Sequence, residues 1–357
     1  MKNARPFVFI LLSLYAFGCA SSLDLRERGI DVILNEYSSS AAPGAAILVM
    51  KNDSVLLCKG YGMANLEEQE PVTTSTNFRL ASLTKQFTAM CIMMLTERGQ
   101  LSYDDTLGSL FPEFPSYGKG ISIRHLLQHT SGLRDYDSLI PDSQTVQVKD
   151  ADCFRLLEGV DSLEFPSGQK FQYSNTGYAF LALIVEKVSG QRFAEFLRDK
   201  IFGVIGMKTS VAFEHGISTG VNRAFGYSKE EGGWVRTDQS VTSAVLGDGG
   251  IYSNGLELSH WVSALYHHKL VSTETQRLAW TMGKLNDGTS IDYGFGWHLE
   301  TYRGRMHPYH GGSTVGFRNN IQLFPEDQLM VVILTNRNEG DPGKQAREIA
   351  DLFLEDQ

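Results

Sequence analysis

Serine and lysine stand three residues apart in three places: Ser82/Lys85, Ser116/Lys119 and Ser167/Lys170. A helix puts such a pair on one face, within reach of each other. A buried lysine loses the hydration of its ammonium and can serve as a base, and a serine beside it becomes an acylatable nucleophile. Context separates the three copies. Ser116 lies in Pro-Ser-Tyr-Gly-Lys-Gly and Ser167 in Pro-Ser-Gly-Gln-Lys, both turn compositions. Ser82 alone opens an apolar helical repeat, Leu83, Phe87, Met90, Cys91, Met94 and Leu95. Ile92 and Met93 make that helix apolar nearly all round, so it is expected to be buried and to stop at Gly99. Its N-terminus would add partial positive charge at Ser82. The competing reading makes Ser82 an N-cap and Lys85 a surface residue.

Tyr-Ser-Asn occurs twice, at Tyr173 to Asn175 and at Tyr252 to Asn254. Both copies precede helical patterns, so the residues alone do not choose between them. Asn254 followed by Glu257 has the spacing of a helix start, which favours a structural role there. His307 and His310 form an HxxH pair, but no carboxylate or third ligand lies near in sequence, so no metal or other cofactor is expected. His125 and His129 fall near a helix end and read as structural.

The elements that must position these residues follow from periodicity. Residues 23 to 37 have helical spacing. Ala45 to Met50 and Val55 to Tyr61 flank Asn52-Asp53 as a β-hairpin. Helices are expected at Ile123 to His129, Gly177 to Val188 and Leu256 to Leu270. Strands are expected at Tyr293 to Tyr302, Met306 to Tyr309, Val315 to Phe324 and Leu329 to Thr335, and a helix at Lys344 to Leu354. Their short connections imply antiparallel pairing. The expected class is α+β: strands from both ends of the chain form one antiparallel sheet, with a mainly helical region inserted between them.

FRLASLTKQFTAM around Ser82 resembles the active-site helix of the serine β-lactamase and penicillin-binding protein superfamily. ISIRHLLQHTSGL (121–133), FQYSNTGYAFLALIVEKVSG (171–190) and YHGGSTVGF (309–317) resemble that family's later landmarks, in order. The nearest group resembled is the class C β-lactamase-like serine hydrolases, which include esterases and D-amino-acid peptidases. The resemblance implies Ser82, Lys85 and Tyr173 as catalytic residues. It implies backbone N–H groups of Ser82 and Ser313 as an oxyanion hole, and Asn175, His310, Gly311 and Gly312 as substrate-binding residues. It implies a β-lactamase-like catalytic domain over 21–357, with an α/β part near 23–80 and 235–357 and a helical part near 81–234. His310 stands where most true β-lactamases carry lysine. A neutral imidazole there offers no fixed cation for a β-lactam carboxylate, so neutral esters or small amides are the expected substrates.

Export is written at the N-terminus. Lys2 and Arg5 precede the apolar run Phe7 to Phe17, and Gly18, Cys19 and Ala20 supply small residues for cleavage. Gly18-Cys19 also resembles a lipobox, which would lipidate Cys19; Phe17 is bulkier than that pattern usually allows. The expected place is the periplasm or the lipid-anchored envelope of a bacterium, with any membrane attachment through that lipid alone. The 357-residue chain has formal charge −9, 42% hydrophobic and 20% charged residues, so a packed core is feasible and global disorder is excluded. No Lys/Arg stripe with interleaved aromatics suggests nucleic acid; the expected partner is a small-molecule or peptide substrate. A Ser-His-Asp hydrolase would need a G-x-S-x-G elbow. The one match, Gly216 to Gly220, follows Glu214-His215 rather than a clear strand and reads as a loop. The alternatives are a true β-lactamase or DD-peptidase, and a catalytically silent envelope sensor with a relic pocket.

Overall fold

The computed structural model describes residues 23–218 and 222–355. The expected signal segment and Cys19 lie outside the described residues, as do Thr219 and Gly220 of the G-x-S-x-G match. Among the described residues, no helix is long and apolar enough to cross a membrane.

Six strands form one antiparallel sheet. They are β1 (Ala45–Lys51), β2 (Ser54–Tyr61), β3 (His298–Tyr302), β4 (Arg305–Thr314), β5 (Phe317–Phe324) and β6 (Leu329–Thr335), in the order β3-β4-β5-β6-β1-β2. The two ends of the chain meet in its centre, where Ala45 lies opposite Thr335 and Lys51 opposite Leu329. Asn52 and Asp53 turn the first hairpin with φ of +50° and +58°, a left-handed pair that these short polar side chains tolerate.

The inner strands are apolar without alternation because both faces are covered. Ile47, Val49, Val331 and Ile333 face helix α1 (residues 23–33) and the C-terminal helix α6 (Pro342–Asp351). Leu48, Val332 and Leu334 face the large core built on α2 (Lys85–Glu97) and α3 (Asn175–Ser189). Every residue of α2 from Lys85 to Leu95 is buried, as its all-round apolar pattern requires. Two further helices complete the frame of the site, α4 (Leu246–Gly249) and α5 (Gly255–Tyr266).

Three expectations are corrected in detail. Ser82 does not open the α-helix; it sits in a 3₁₀ turn, Ala81–Thr84, and α2 begins at Lys85. The strand expected from Tyr293 starts only at His298, because Gly294 and Gly296 interrupt the segment; Gly296 has φ of +78°. The strand expected at 306–309 runs on through Thr314, since its glycines allow close approach of neighbouring backbone. Cys58, Cys91 and Cys153 are free thiols, and Cys91 is buried in α2.

Candidate active site

Ser82 is held where three elements converge. Ala81, just before it, has φ of +51°, an uncommon conformation for a residue with a Cβ. Gly312 of β4 passes so close that a Cβ on it would lie 2.2 Å from the Leu80 carbonyl oxygen. The tight turn and the close strand together fix Ser82 at the edge of the sheet. β3 ends its pairing with β4 at Tyr309. Among the described residues, Gly311 to Thr314 therefore have β5 on one side and no strand on the other.

Lys85 is fully buried, and its Nζ has three acceptors: Ser82 Oγ at 3.1 Å, Asn175 Oδ1 at 2.9 Å and the Asp248 carbonyl at 3.0 Å. The Tyr173 ring lies 5.0 Å from Nζ, centroid to nitrogen, and Tyr178 lies 5.5 Å away on α3. The structure thus gathers Ser82, Lys85 and Asn175 in one hydrogen-bonded set. Tyr173 stands beside them, with its Oη buried and bonded to none of them.

The second Tyr-Ser-Asn copy is elsewhere. Tyr252 is buried in a small sheet, where its Oη accepts from Gln239 Nε2 at 3.0 Å. Asn254 caps α5, its Oδ1 accepting from the Glu257 amide at 3.0 Å. The other serines are also parted from the set. Ser167 Oγ donates to the Ser131 carbonyl, and Ser116 lies in a separate 3₁₀ turn.

The histidines divide by role. His310 is buried, with Nδ1 2.6 Å from the Gly311 carbonyl and Nε2 3.1 Å from Tyr293 Oη. Burial, then His298 and Lys85 nearby, hold it well below the usual imidazole range, so it is neutral. His307 lies three residues away on a strand and faces the other side of the sheet, against Phe324 at 4.6 Å and Glu300 at 3.0 Å. The HxxH pair is split, and no cluster of three or more metal-ligating side chains exists among the described residues. His125 Nδ1 accepts the Ser122 amide in a helix cap. His129 supports Tyr173: its ring lies 4.1 Å from the tyrosine ring, tilted by 30°, and its Nδ1 accepts the Ser174 amide.

Several site residues carried no signal that pattern reading used. Asp248, in α4, offers its carbonyl to Lys85 and its carboxylate to Tyr136 Oη at 2.7 Å. Asp150 holds the start of α4 through the Leu246 and Gly247 amides, both at 2.9 Å. Asp135 Oδ2 accepts the Asn175 amide at 3.0 Å. Asp135-Tyr136-Asp137 begins two residues after the landmark that ends at Leu133, which was the available clue. Two cavities meet at Ser82. An inner one of about 250 Å³ is lined by Arg79, Tyr136, Asp137, Ser240 and Thr242. An outer one of about 500 Å³ is lined by Tyr173, His298, His310, Gly311 and Arg318. Arg318, on the wall of the outer cavity, is a guanidinium that the reading of position 310 did not consider. It comes from the neighbouring strand β5, with Nη1 on the Thr314 and Phe317 carbonyls.

Comparison with known proteins bears on the family and the fold. The family model described as beta-lactamase matches residues 30–354. Penicillin-binding protein 4* of Bacillus subtilis (strain 168) is 32% identical over 337 residues, 90% of this chain and 74% of that protein. Protein flp of Staphylococcus aureus (strain MRSA252) is 27% identical over 87% of this chain; the chain spans 63% of that protein's length. The octameric penicillin-binding protein homologue from Pyrococcus abyssi superposes with a TM-score of 0.80 at 27% identity, covering 92% of this chain and 77% of that one.

Proposed function

The chain belongs to the beta-lactamase family, and on that premise we propose that it is an exported serine hydrolase working through a Ser82 acyl-enzyme. The observation that carries this reading is the Lys85 amine, buried and within 3.1 Å of Ser82 Oγ and 2.9 Å of Asn175 Oδ1, at the junction of two cavities. Ser82 Oγ attacks a carbonyl carbon, and its proton passes to the Lys85/Tyr173 pair. The Ser82 and Ser313 amides receive the developing oxyanion. Tyr173 then protonates the leaving heteroatom, the acyl–heteroatom bond breaks, and water deacylates Ser82. Among the described residues Tyr173 Oη has no hydrogen-bond partner, which suits a group that gains its contact from substrate. No step calls for a metal or an organic cofactor.

The substrate class is an ester, amide or peptide-like compound. A penicillin-binding reading stands beside it, favoured by the 32% identity to penicillin-binding protein 4*. Labelling by a fluorophosphonate and by a fluorescent penicillin tests both. Ser82-dependent labelling by the fluorophosphonate alone supports the hydrolase; labelling by both supports penicillin binding as well. Absence of both labels would leave the silent-sensor alternative. Export is tested by mass spectrometry of the mature N-terminus, which also reads lipidation at Cys19.

A further inference from the structure

Leu246-Gly247-Asp248-Gly249, the whole of α4, is a poor helix former. It is four residues long and half of them are glycine, too short and too flexible to hold itself. Its place in the fold is therefore set by anchors outside it. Three successive carbonyls are anchored on the side of the catalytic lysine. Gly247 accepts from Thr88 Oγ1 of α2 at 2.7 Å, Asp248 from Lys85 Nζ at 3.0 Å and Gly249 from Arg79 Nε at 3.4 Å. α3 packs against the same turn with no slack: a Cβ on Gly247 would lie 2.3 Å from the Tyr178 carbonyl oxygen.

The opposite end of α4 needs acceptors. The first amides of a helix have no partner within it, and Val245, at the N-cap, brings no side-chain acceptor. Asp150 supplies two from a distant segment. One of its carboxylate oxygens takes the Leu246 amide and the other the Gly247 amide, both at 2.9 Å. Asp150 is buried at the start of the helix Asp150–Glu158. It lines neither cavity at Ser82; a separate cavity is lined by Asp150, Leu246 and Phe213. The carboxylate thus stands apart from substrate, yet it holds the two residues directly before the carbonyl that Lys85 uses.

We propose that Asp150 is a positioning residue of this active site, fixing the Asp248 carbonyl against Lys85 through α4 without touching substrate. The inference rests on the acyl-enzyme reading above. Loosening α4 withdraws one of the three acceptors of the buried Lys85 Nζ and lets the amine drift from Ser82 Oγ. The cost then falls on proton transfer rather than on substrate binding. A carboxylate is required because it offers an acceptor to each amide. The isosteric Asp150→Asn keeps one acceptor and turns an NH₂ group toward the other amide.

The test compares the wild type, Asp150→Asn and Asp150→Ala at pH 8, where the Asp150 carboxyl, raised to about 7 chiefly by burial, is mainly ionised. It reads kcat and KM for phenyl acetate and the rate of fluorophosphonate labelling at Ser82, with circular dichroism to check folding. Asp150→Asn is expected to lose roughly tenfold in kcat and in labelling rate, the scale of one buried donor left without its acceptor, with KM kept within about threefold. Asp150→Ala enlarges the separate cavity, so sodium formate, a free carboxylate, is expected to restore its kcat severalfold. Sodium chloride at the same concentration should not, and the wild type should not respond. A folded Asp150→Asn with wild-type kcat overturns the proposal, as does a loss confined to KM or a loss in Asp150→Ala that formate leaves unchanged. Variants that stay unfolded with or without formate show a purely structural role and overturn it too. Turnover and labelling that persist in Ser82→Ala overturn the acyl-enzyme reading itself, whatever the Asp150 variants do.

Discussion

The Asp248 carbonyl accepts from Lys85 Nζ at 3.0 Å while the carboxylate of the same residue accepts from Tyr136 Oη at 2.7 Å. Tyr136 in turn donates its amide to Thr176 Oγ1 at 2.8 Å, next to Asn175, which holds Lys85 from the other side. Both supports of the lysine are thus braced by residues 134–137. Burial, the largest influence, pushes the Asp248 carboxyl up to about 6, against the pull of Lys85 and Tyr136; Asp137 and Arg79 also face it. Below that pH its negative charge near Lys85 is lost. We expect kcat/KM to fall below about pH 6, and Asp248→Asn to lack this acid limb and to be roughly tenfold less active at pH 8. A limb of the same position in the variant would reject this role for Asp248.

Ser82→Ala should fold normally and lose labelling and turnover by several orders of magnitude, as for any removed nucleophile. Ser116→Ala and Ser167→Ala should match the wild type, because neither hydroxyl approaches Lys85. Labelling that persists in Ser82→Ala would sink the assignment.

Tyr173→Phe should lose roughly 10²-fold or more in kcat, the scale of a positioned acid–base group. Tyr252→Phe should keep its activity within a few-fold, losing only the Gln239 contact. The opposite ranking in steady-state kinetics would move the catalytic tyrosine to the second copy.

Gly312→Ala should inactivate more than it destabilises. Its Cβ would meet the Leu80 carbonyl at 2.2 Å, so either β4 or the turn carrying Ser82 must shift. Loss of labelling with a folded circular-dichroism spectrum is the expected result; wild-type labelling would show that the strand has room to spare.

The pH dependence of stability checks the state of His310. Its folded pKa lies well below the usual 6.5, chiefly through burial, so the unfolded chain takes up a proton that the folded one refuses. This share of stability is complete above about pH 6.5 and is lost as pH falls through that value. Asp150, raised to about 7 by burial, and Asp248 act with the opposite sign in the same window. Comparison with a variant isolates the histidine. Between pH 8 and pH 5.5 the urea midpoint of His310→Gln should fall less than that of the wild type. Equal falls would mean that His310 is protonated in the fold.

Much of the frame was readable because periodicity and motif order carry it. The all-round apolar run after Lys85 announced a buried helix, and the chain-terminal strands announced one sheet. The site was readable where a short motif holds its members, as in Ser82 and Lys85. It was not readable where a contact is made by backbone or by distant residues. The Asp248 carbonyl could be supplied by almost any residue type, so position 248 left no mark of it. Arg318 reaches the outer cavity only because β5 pairs beside β4. The choice between two Tyr-Ser-Asn copies likewise needed the fold, since both precede helices.

The centre of the sheet joins β1 to β6, segments from nearly opposite ends of the chain. This makes the contact order high, and loop closure must be met before that pairing yields any stability. During synthesis β1 and β2 emerge long before β6, the strand that flanks β1. Until then, the apolar edge from Ala45 to Met50 has no neighbour on that side. A nascent chain therefore cannot close this sheet until β6 has been made. The same delay makes this edge the place where a stalled or truncated chain would aggregate.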